Sequence, residues 1–204
     1  MKLHRVDALL FDLGRVVIDI DFDRAIARWA EQASCDAALL RQRFARGSAF
    51  KQHETGALSD SAYFASLRES LGVELTNAEL LDGWNAIFVG EMRGISDLLG
   101  SIAPKIPIYA LSNSNPAHEA YWSSRFASVV RHFKHVYVSS TIGLRKPDAE
   151  AYGYVIEAIG VPAERIAFFD DSIENIEGAR RCRLQAFHVT STGDIEKAIA
   201  GLAM

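Results

Sequence analysis

Asp12, Ser112 with Asn113, Lys146, and the pair Asp170 and Asp171 each stand at or just beyond the end of a short apolar run. Side chains of these types can together transfer a phosphoryl group. Phosphate monoesters hydrolyse extremely slowly unaided, so a site acting on them must supply a large acceleration. A carboxylate nucleophile such as Asp12 divides the reaction into two easier steps through an aspartyl-phosphate. Carboxylate and phosphate repel, so a divalent cation must neutralise both. Mg²⁺ prefers oxygen ligands, and Asp170 and Asp171 facing Asp12 would supply them. A hydroxyl (Ser112), an amide (Asn113) and an ammonium (Lys146) would then bind the phosphoryl oxygens and stabilise transition-state charge. Each group alone has a plainer reading. Asp171 could cap a helix, with Glu174 three residues on. Ser112 and Asn113 could form a turn. Lys146 could be a solvated loop lysine and Pro147 the first residue of a helix. Their joint order and placement favour the chemistry.

The elements that must position these groups follow from the apolar periodicity. Val6 to Asp12 reads as a buried strand broken by Gly14. Further strands are expected at Ile108 to Leu111, His135 to Val138, Ile166 to Phe169 and Ala186 to Val189. Helices are expected before Pro107, from Pro116, from Pro147 to a stop at Gly160, and over Ile173 to Arg181. Between about Phe22 and Phe88 the pattern reads as helical throughout, with no convincing strand. There Thr76 and Glu79 have capping-box spacing. Such alternation implies an α/β fold, a Rossmann-like three-layer parallel sheet core with ligands beyond the carboxyl ends of its strands. The reading is a core of residues 1–18 and 90–204 and a helical cap of residues 19–89 inserted after the first strand.

The 204 residues are enough to bury a core without staples. A net charge of −4 and the lack of a basic stripe argue against nucleic acid as a partner. Cys35 and Cys182 are far apart and in no metal-type spacing, and each is expected to be a small buried residue in a reducing compartment. The N-terminus has no signal-peptide character, and no apolar run approaches the roughly 20 residues needed to span a bilayer. A soluble cytoplasmic protein is expected, monomeric or homodimeric.

The motifs resemble those of the haloacid dehalogenase superfamily. Phe11-Asp12-Leu13-Gly14 is similar to its first motif and Leu111-Ser112-Asn113 to its second. Lys146 within Gly-Leu-Arg-Lys-Pro-Asp is similar to the third, and Phe-Phe-Asp170-Asp171-Ser-Ile-Glu-Asn to the fourth. The resemblance spans nearly the whole chain. It implies a C1-type cap over the site, Asp12 as nucleophile and Lys146 as catalytic partner. It also implies phosphate binding by Ser112, Asn113 and Lys146, and Mg²⁺ held by Asp12, Gly14, Asp170 and Asp171. Of the adjacent acids, the family pattern favours Asp170 as the direct ligand. Asp19-Ile-Asp21-Phe, Gln52-His53-Glu54 and Asn175-Ile-Glu-Gly are closer still to bacterial alpha-D-glucose-1-phosphate phosphatases, which implies a small phosphorylated metabolite, a sugar phosphate, as substrate.

Gly14 departs from the pattern. Phosphatases of the family carry a second aspartate there as general acid and base. A glycine carbonyl can still bind metal, but the carboxyl is lost, a deficit of roughly 10²- to 10⁴-fold. Either the substrate's leaving group departs without protonation or a cap-region residue substitutes, with Asp19, Asp21, His53 and Glu54 as candidates. Arg15 could reach substrate or sit in solvent. Two other functions are open: halide displacement by the same nucleophile without metal, and a phosphometabolite-binding or regulatory protein without turnover.

Overall fold

The computed structural model describes residues 5–202; Met1 to His4, part of the N-terminal stretch read as lacking a signal sequence, lie outside it. The first strand, β1 (Ala8–Phe11), is buried along its whole length, as a strand covered on both faces must be. Its side chains alternate between two cores. Leu9 and Phe11 enter one apolar cluster with Ile95, Leu99 and Ile195, whereas Ala8 and Leu10 enter another with Tyr152, Val155 and Ile176. Helices therefore cover both faces, and the core has three layers.

After β1 the chain forms a short strand, β2 (Ile18–Ile20), and then five helices: α1 (Phe22–Gln32), α2 (Ala37–Arg43), α3 (Ser48–Glu54), α4 (Asp60–Leu71) and α5 (Asn77–Asn85). These five share their own apolar cluster around Trp29, Tyr63, Leu80 and Trp84. Strand β3 (Phe88–Glu91) returns antiparallel to β2, with a register shift between Asp19 and Ile20. The stretch read as helical, from about Phe22 to Phe88, is helical between these two strands; the ribbon that brackets it is not among the expected strands. Three or four residues are too few to show a period of two, and Phe88 also continues the helical spacing that precedes it.

The rest of the chain alternates: α6 (Ile95–Ile102), β4 (Ile108–Ser112), α7 (Pro116–Arg125), α8 (Ala127–Val130), β5 (His135–Val138), α9 (Ser139–Ile142), α10 (Ala149–Ile159), β6 (Ile166–Asp170), α11 (Ile173–Arg181), β7 (Gln185–His188) and α12 (Thr192–Ala200). The five-stranded sheet runs β5-β4-β1-β6-β7 with every pair parallel. Because β4 and β6 flank β1, the strand order reverses at β1, and the crevice at such a point is where parallel sheets bind ligands.

Two details differ from expectation. Helix α10 begins at Ala149 rather than Pro147, which leaves Pro147 in the loop beside Lys146. Cys35 and Cys182 are free thiols, as expected, but only half-buried. Among the described residues no helix is long and apolar enough to cross a membrane.

Candidate active site

Asp12, Ser112 and Asp170 sit at the carboxyl ends of the adjacent strands β1, β4 and β6, and parallel register brings them side by side. Lys146 arrives from the loop before α10. Its Nζ lies 2.7 Å from Asp12 Oδ1 and 2.8 Å from Asp170 Oδ2. Lys146 is almost fully buried, so the solvated-loop reading does not hold. Burial alone would lower its pKa, but Asp12 and Asp170 outweigh that and hold it above the ordinary lysine value. For Asp12 burial dominates: it raises the carboxyl to about 7, with the Lys146 ammonium opposing and Asp170 adding to the rise.

Asp170 is saturated. Besides Lys146 it accepts hydrogen bonds from the Ser172 main-chain N–H at 2.8 Å and from Asn175 Nδ2, which lies 3.0 Å from both of its oxygens. It is fully buried, whereas Asp171 lines the cleft and keeps a quarter of its side chain exposed, 4.0 Å from the Arg15 guanidinium. Asp171 does not cap α11; the Ser172 hydroxyl does. Burial and the neighbouring Asp170 raise the Asp171 carboxyl above the ordinary range. Asp12, Asp170 and Asp171 each bring an oxygen within 4.8 Å of the others, a concentration of carboxylate charge that favours a hard cation beside it.

The Asn113 side chain is engaged otherwise than expected. Its Nδ2 donates to the Lys146 carbonyl and its Oδ1 accepts from the Lys146 N–H, both at 2.9 Å. The amide therefore clamps the lysine's backbone and is not free for phosphate. The Ser112 hydroxyl lines the cleft and has no partner among the described residues. Helix α11 can press against this loop because Gly178 has no Cβ; one there would lie 2.7 Å from the Pro147 carbonyl oxygen.

The cleft has a volume of about 770 Å³ and lies between the sheet's carboxyl edge and the five-helix segment. Of the residues considered as substitutes at Gly14, only Glu54 lines it. Asp21 caps α1 by accepting from the Asp23 N–H. Asp19 is not part of the cleft lining, although Ile18 and Ile20 on either side are. His53 is buried against Tyr63, with Nε2 2.7 Å from Asp60 Oδ1. Adjacency to Glu54 misled here, because neighbours on a helix diverge by about 100°.

The cleft also holds groups that periodicity did not single out. His118 on α7 lies against its wall, with Nε2 3.0 Å from the Trp84 carbonyl and Nδ1 3.1 Å from Asn115 Nδ2. A carbonyl can only accept, so Nε2 carries the proton and Nδ1 accepts from Asn115. Burial lowers the His118 pKa to about 3, so the ring is neutral and both nitrogens are occupied. Arg145 and Arg46 line the mouth, Arg46 over the Phe22 ring. Asn115 before Pro116 is a cap signal that could have placed His118 near the site, because it fixes the start of α7 just past β4.

The model of the haloacid dehalogenase-like hydrolase family matches residues 6–183. The chain is 27% identical to a D-ribitol-5-phosphate phosphatase of Bacteroides thetaiotaomicron over 91% of its own length and 93% of the relative's. It shares its fold with a haloacid dehalogenase family enzyme of Bacteroides thetaiotaomicron crystallised with magnesium and inorganic phosphate. That likeness has a TM-score of 0.79 at 24% identity, covering 92% of this chain and 96% of the other. The L-2-haloacid dehalogenase of Xanthobacter autotrophicus is similar too, with a TM-score of 0.67 at 18% identity over 96% and 82% of the two chains.

Proposed function

The chain belongs to the haloacid dehalogenase-like hydrolase family, and from that premise we propose a magnesium-dependent phosphomonoesterase acting through Asp12 on a small sugar or polyol phosphate, with glucose 1-phosphate among the candidates. The observation that carries this reading is the buried Lys146 ammonium between Asp12 and Asp170, with the oxygens of the acidic trio within 4.8 Å of one another. Asp12 attacks phosphorus, the leaving-group oxygen takes the electron pair, and water then cleaves the aspartyl-phosphate. The Ser112 hydroxyl, the main-chain N–H of Asn113 and the Lys146 ammonium bind the phosphoryl oxygens.

Asp12, Asp171 and the Gly14 carbonyl would hold Mg²⁺, with Asp170 behind them fixing Lys146. This reverses the order expected of the two adjacent acids, because Asp170 has no oxygen left free of N–H donors. When bound, the ion neutralises the carboxylate and phosphoryl charges that otherwise repel, and so keeps Asp12 ionised. Asp171 has no task in halide displacement, which needs no cation. The likeness to D-ribitol-5-phosphate phosphatase supports a polyhydroxylated leaving group.

Hydrolysis of p-nitrophenyl phosphate and a panel of sugar and polyol phosphates, with Mg²⁺ and with EDTA, tests the reading. Turnover should need the metal and vanish in Asp12→Asn while that variant's thermal unfolding stays cooperative. Metal-independent turnover, or an active Asp12→Asn, would falsify it. Chloride release from 2-chloropropionate without metal would favour the dehalogenase reading instead.

A further inference from the structure

Glu54 ends α3 and is only 6% exposed, yet it lines the cleft opposite the sheet. Arg145 Nε and Nη2 both lie 3.0 Å from one oxygen of its carboxylate, Oε2. The other oxygen, Oε1, has no partner among the described residues. It is also not sealed in protein with its bonding capacity unmet, in contrast to His53 Nδ1 and Tyr63 Oη. Glu54 is among the residues that line the cleft, so an oxygen open there can meet what the cleft holds.

The main chain that carries Glu54 is anchored to the core. The buried Ser139 hydroxyl lies 2.6 Å from the Glu54 main-chain carbonyl. Two residues on, a Cβ at Gly56 would lie 2.4 Å from the Ser140 carbonyl oxygen, so the turn after α3 rests directly on α9. Arg145 directly precedes Lys146, which ties this carboxylate to the strand-end groups through one peptide unit. Burial raises the Glu54 carboxyl and Arg145 opposes the rise.

A desolvated carboxylate with one oxygen open requires a hydrogen-bond donor. The surrounding cleft mixes basic side chains (Arg15, Arg46, Lys51, Arg145, Lys146) with acidic ones (Asp12, Asp148, Asp171, Glu174). Arg145 already answers the Glu54 charge, so no second cation is needed there. A neutral hydroxyl fits. Resting on the phosphatase reading above, we propose that Glu54 is a specificity-determining residue whose open oxygen accepts a hydrogen bond from a hydroxyl of the substrate's leaving group, with Arg145 as its positioning partner. The site therefore selects polyhydroxylated phosphates over esters lacking a hydroxyl. A site built to bond a substrate hydroxyl discriminates strongly against analogues without it, because its own polar group is then left unpaired.

The test compares kcat/KM for an alditol phosphate with kcat/KM for p-nitrophenyl phosphate, in the wild type and in Glu54→Gln and Glu54→Asp. The aspartate variant keeps the charge beside Arg145 but withdraws the oxygen by one methylene. The ratio of the two values should fall at least about tenfold in both variants, as expected for a charge-assisted hydrogen bond. An equal loss on both esters would mean that the pair only positions Lys146, and would overturn the proposal; so would no loss. Monodeoxy alditol phosphates on the wild-type enzyme need no variant: one missing hydroxyl should reproduce the fall, and a flat series overturns the proposal. If the wild type turns over no ester, the phosphatase reading fails by itself. Calorimetric titration of the alditol phosphate with Mg²⁺ still reads the contact: about tenfold weaker binding to Glu54→Gln supports it, and equal binding rejects it.

Discussion

At residue scale the site is a set of charges that only other side chains make tolerable. Asp170 shows this: fully buried, it is satisfied by Lys146, Asn175 and the Ser172 N–H. Asn113 plays the same part for the lysine's backbone, and removing it exposes the dependence. Asn113→Ala loses both 2.9 Å bonds to the Lys146 peptide groups. Unfolding in urea should show a loss of about 1–3 kcal/mol, since polar groups are left unpaired near the cleft floor. The value of kcat should fall at least tenfold as the ammonium loosens, with KM less affected. Gly14→Asp asks the opposite question, whether restoring a carboxyl restores an acid. A Cβ there would lie 2.9 Å from Ile20 Cδ1, the free end of a flexible side chain, so it can be seated by a rotamer change. The ratio of alkyl phosphate to p-nitrophenyl phosphate turnover should rise about tenfold or more, because only the poor leaving group needs a proton. A ratio that stays level would show that protonation does not limit this enzyme.

At the scale of elements, the cap depends on helix ends as much as on its aromatic core. Helix α5 starts in a capping box, with the Glu79 N–H donating to Thr76 Oγ1 and the Thr76 N–H donating to Glu79 Oε2 at 2.7 Å. Thr76→Ala removes it and should cost about 1 kcal/mol in chemical denaturation. Activity should fall little, since the helix's other end, at Trp84, is held by His118. Thr76 and Glu79 announce this helix start in the sequence by type and spacing alone. So do the parallel strands, because β1, β4 and β6 are apolar runs buried on both faces, each leading to a polar group of the site. What the sequence hides is long-range pairing of short segments. Nothing local in Ile18-Asp19-Ile20 or Phe88-Val-Gly-Glu reveals that they meet across some seventy residues. Likewise, that Glu54 faces the cleft and His53 does not depends on the angle at which α3 lies, which tertiary packing decides.

Across the whole molecule, His118 is one of the polar contacts that join the helical segment to the core, together with those of Ser139 and Arg145 to Glu54. It stacks on Trp84 at 4.5 Å and donates to that residue's carbonyl, so the α5 end rests on α7 through a neutral imidazole. Its folded pKa, about 3, lies below the unfolded value near 6.5. Below pH 6.5 the unfolded chain therefore binds a proton that the folded chain does not. Stability from this group is complete above pH 6.5 and is lost progressively as pH falls towards 3. Each unit in that window costs about 1.4 kcal/mol, or roughly 2 kcal/mol between pH 6.5 and 5. His53, also lowered by burial, acts in the same direction. Urea unfolding of the wild type from pH 7.5 to 5 should thus show a slope that His118→Gln reduces by about one proton, even though the variant is less stable at pH 7.5. An unchanged slope would mean that the imidazole reaches solvent and protonates in the folded state. The junction between α5 and α7 would then open more readily than its packing against Trp84 implies.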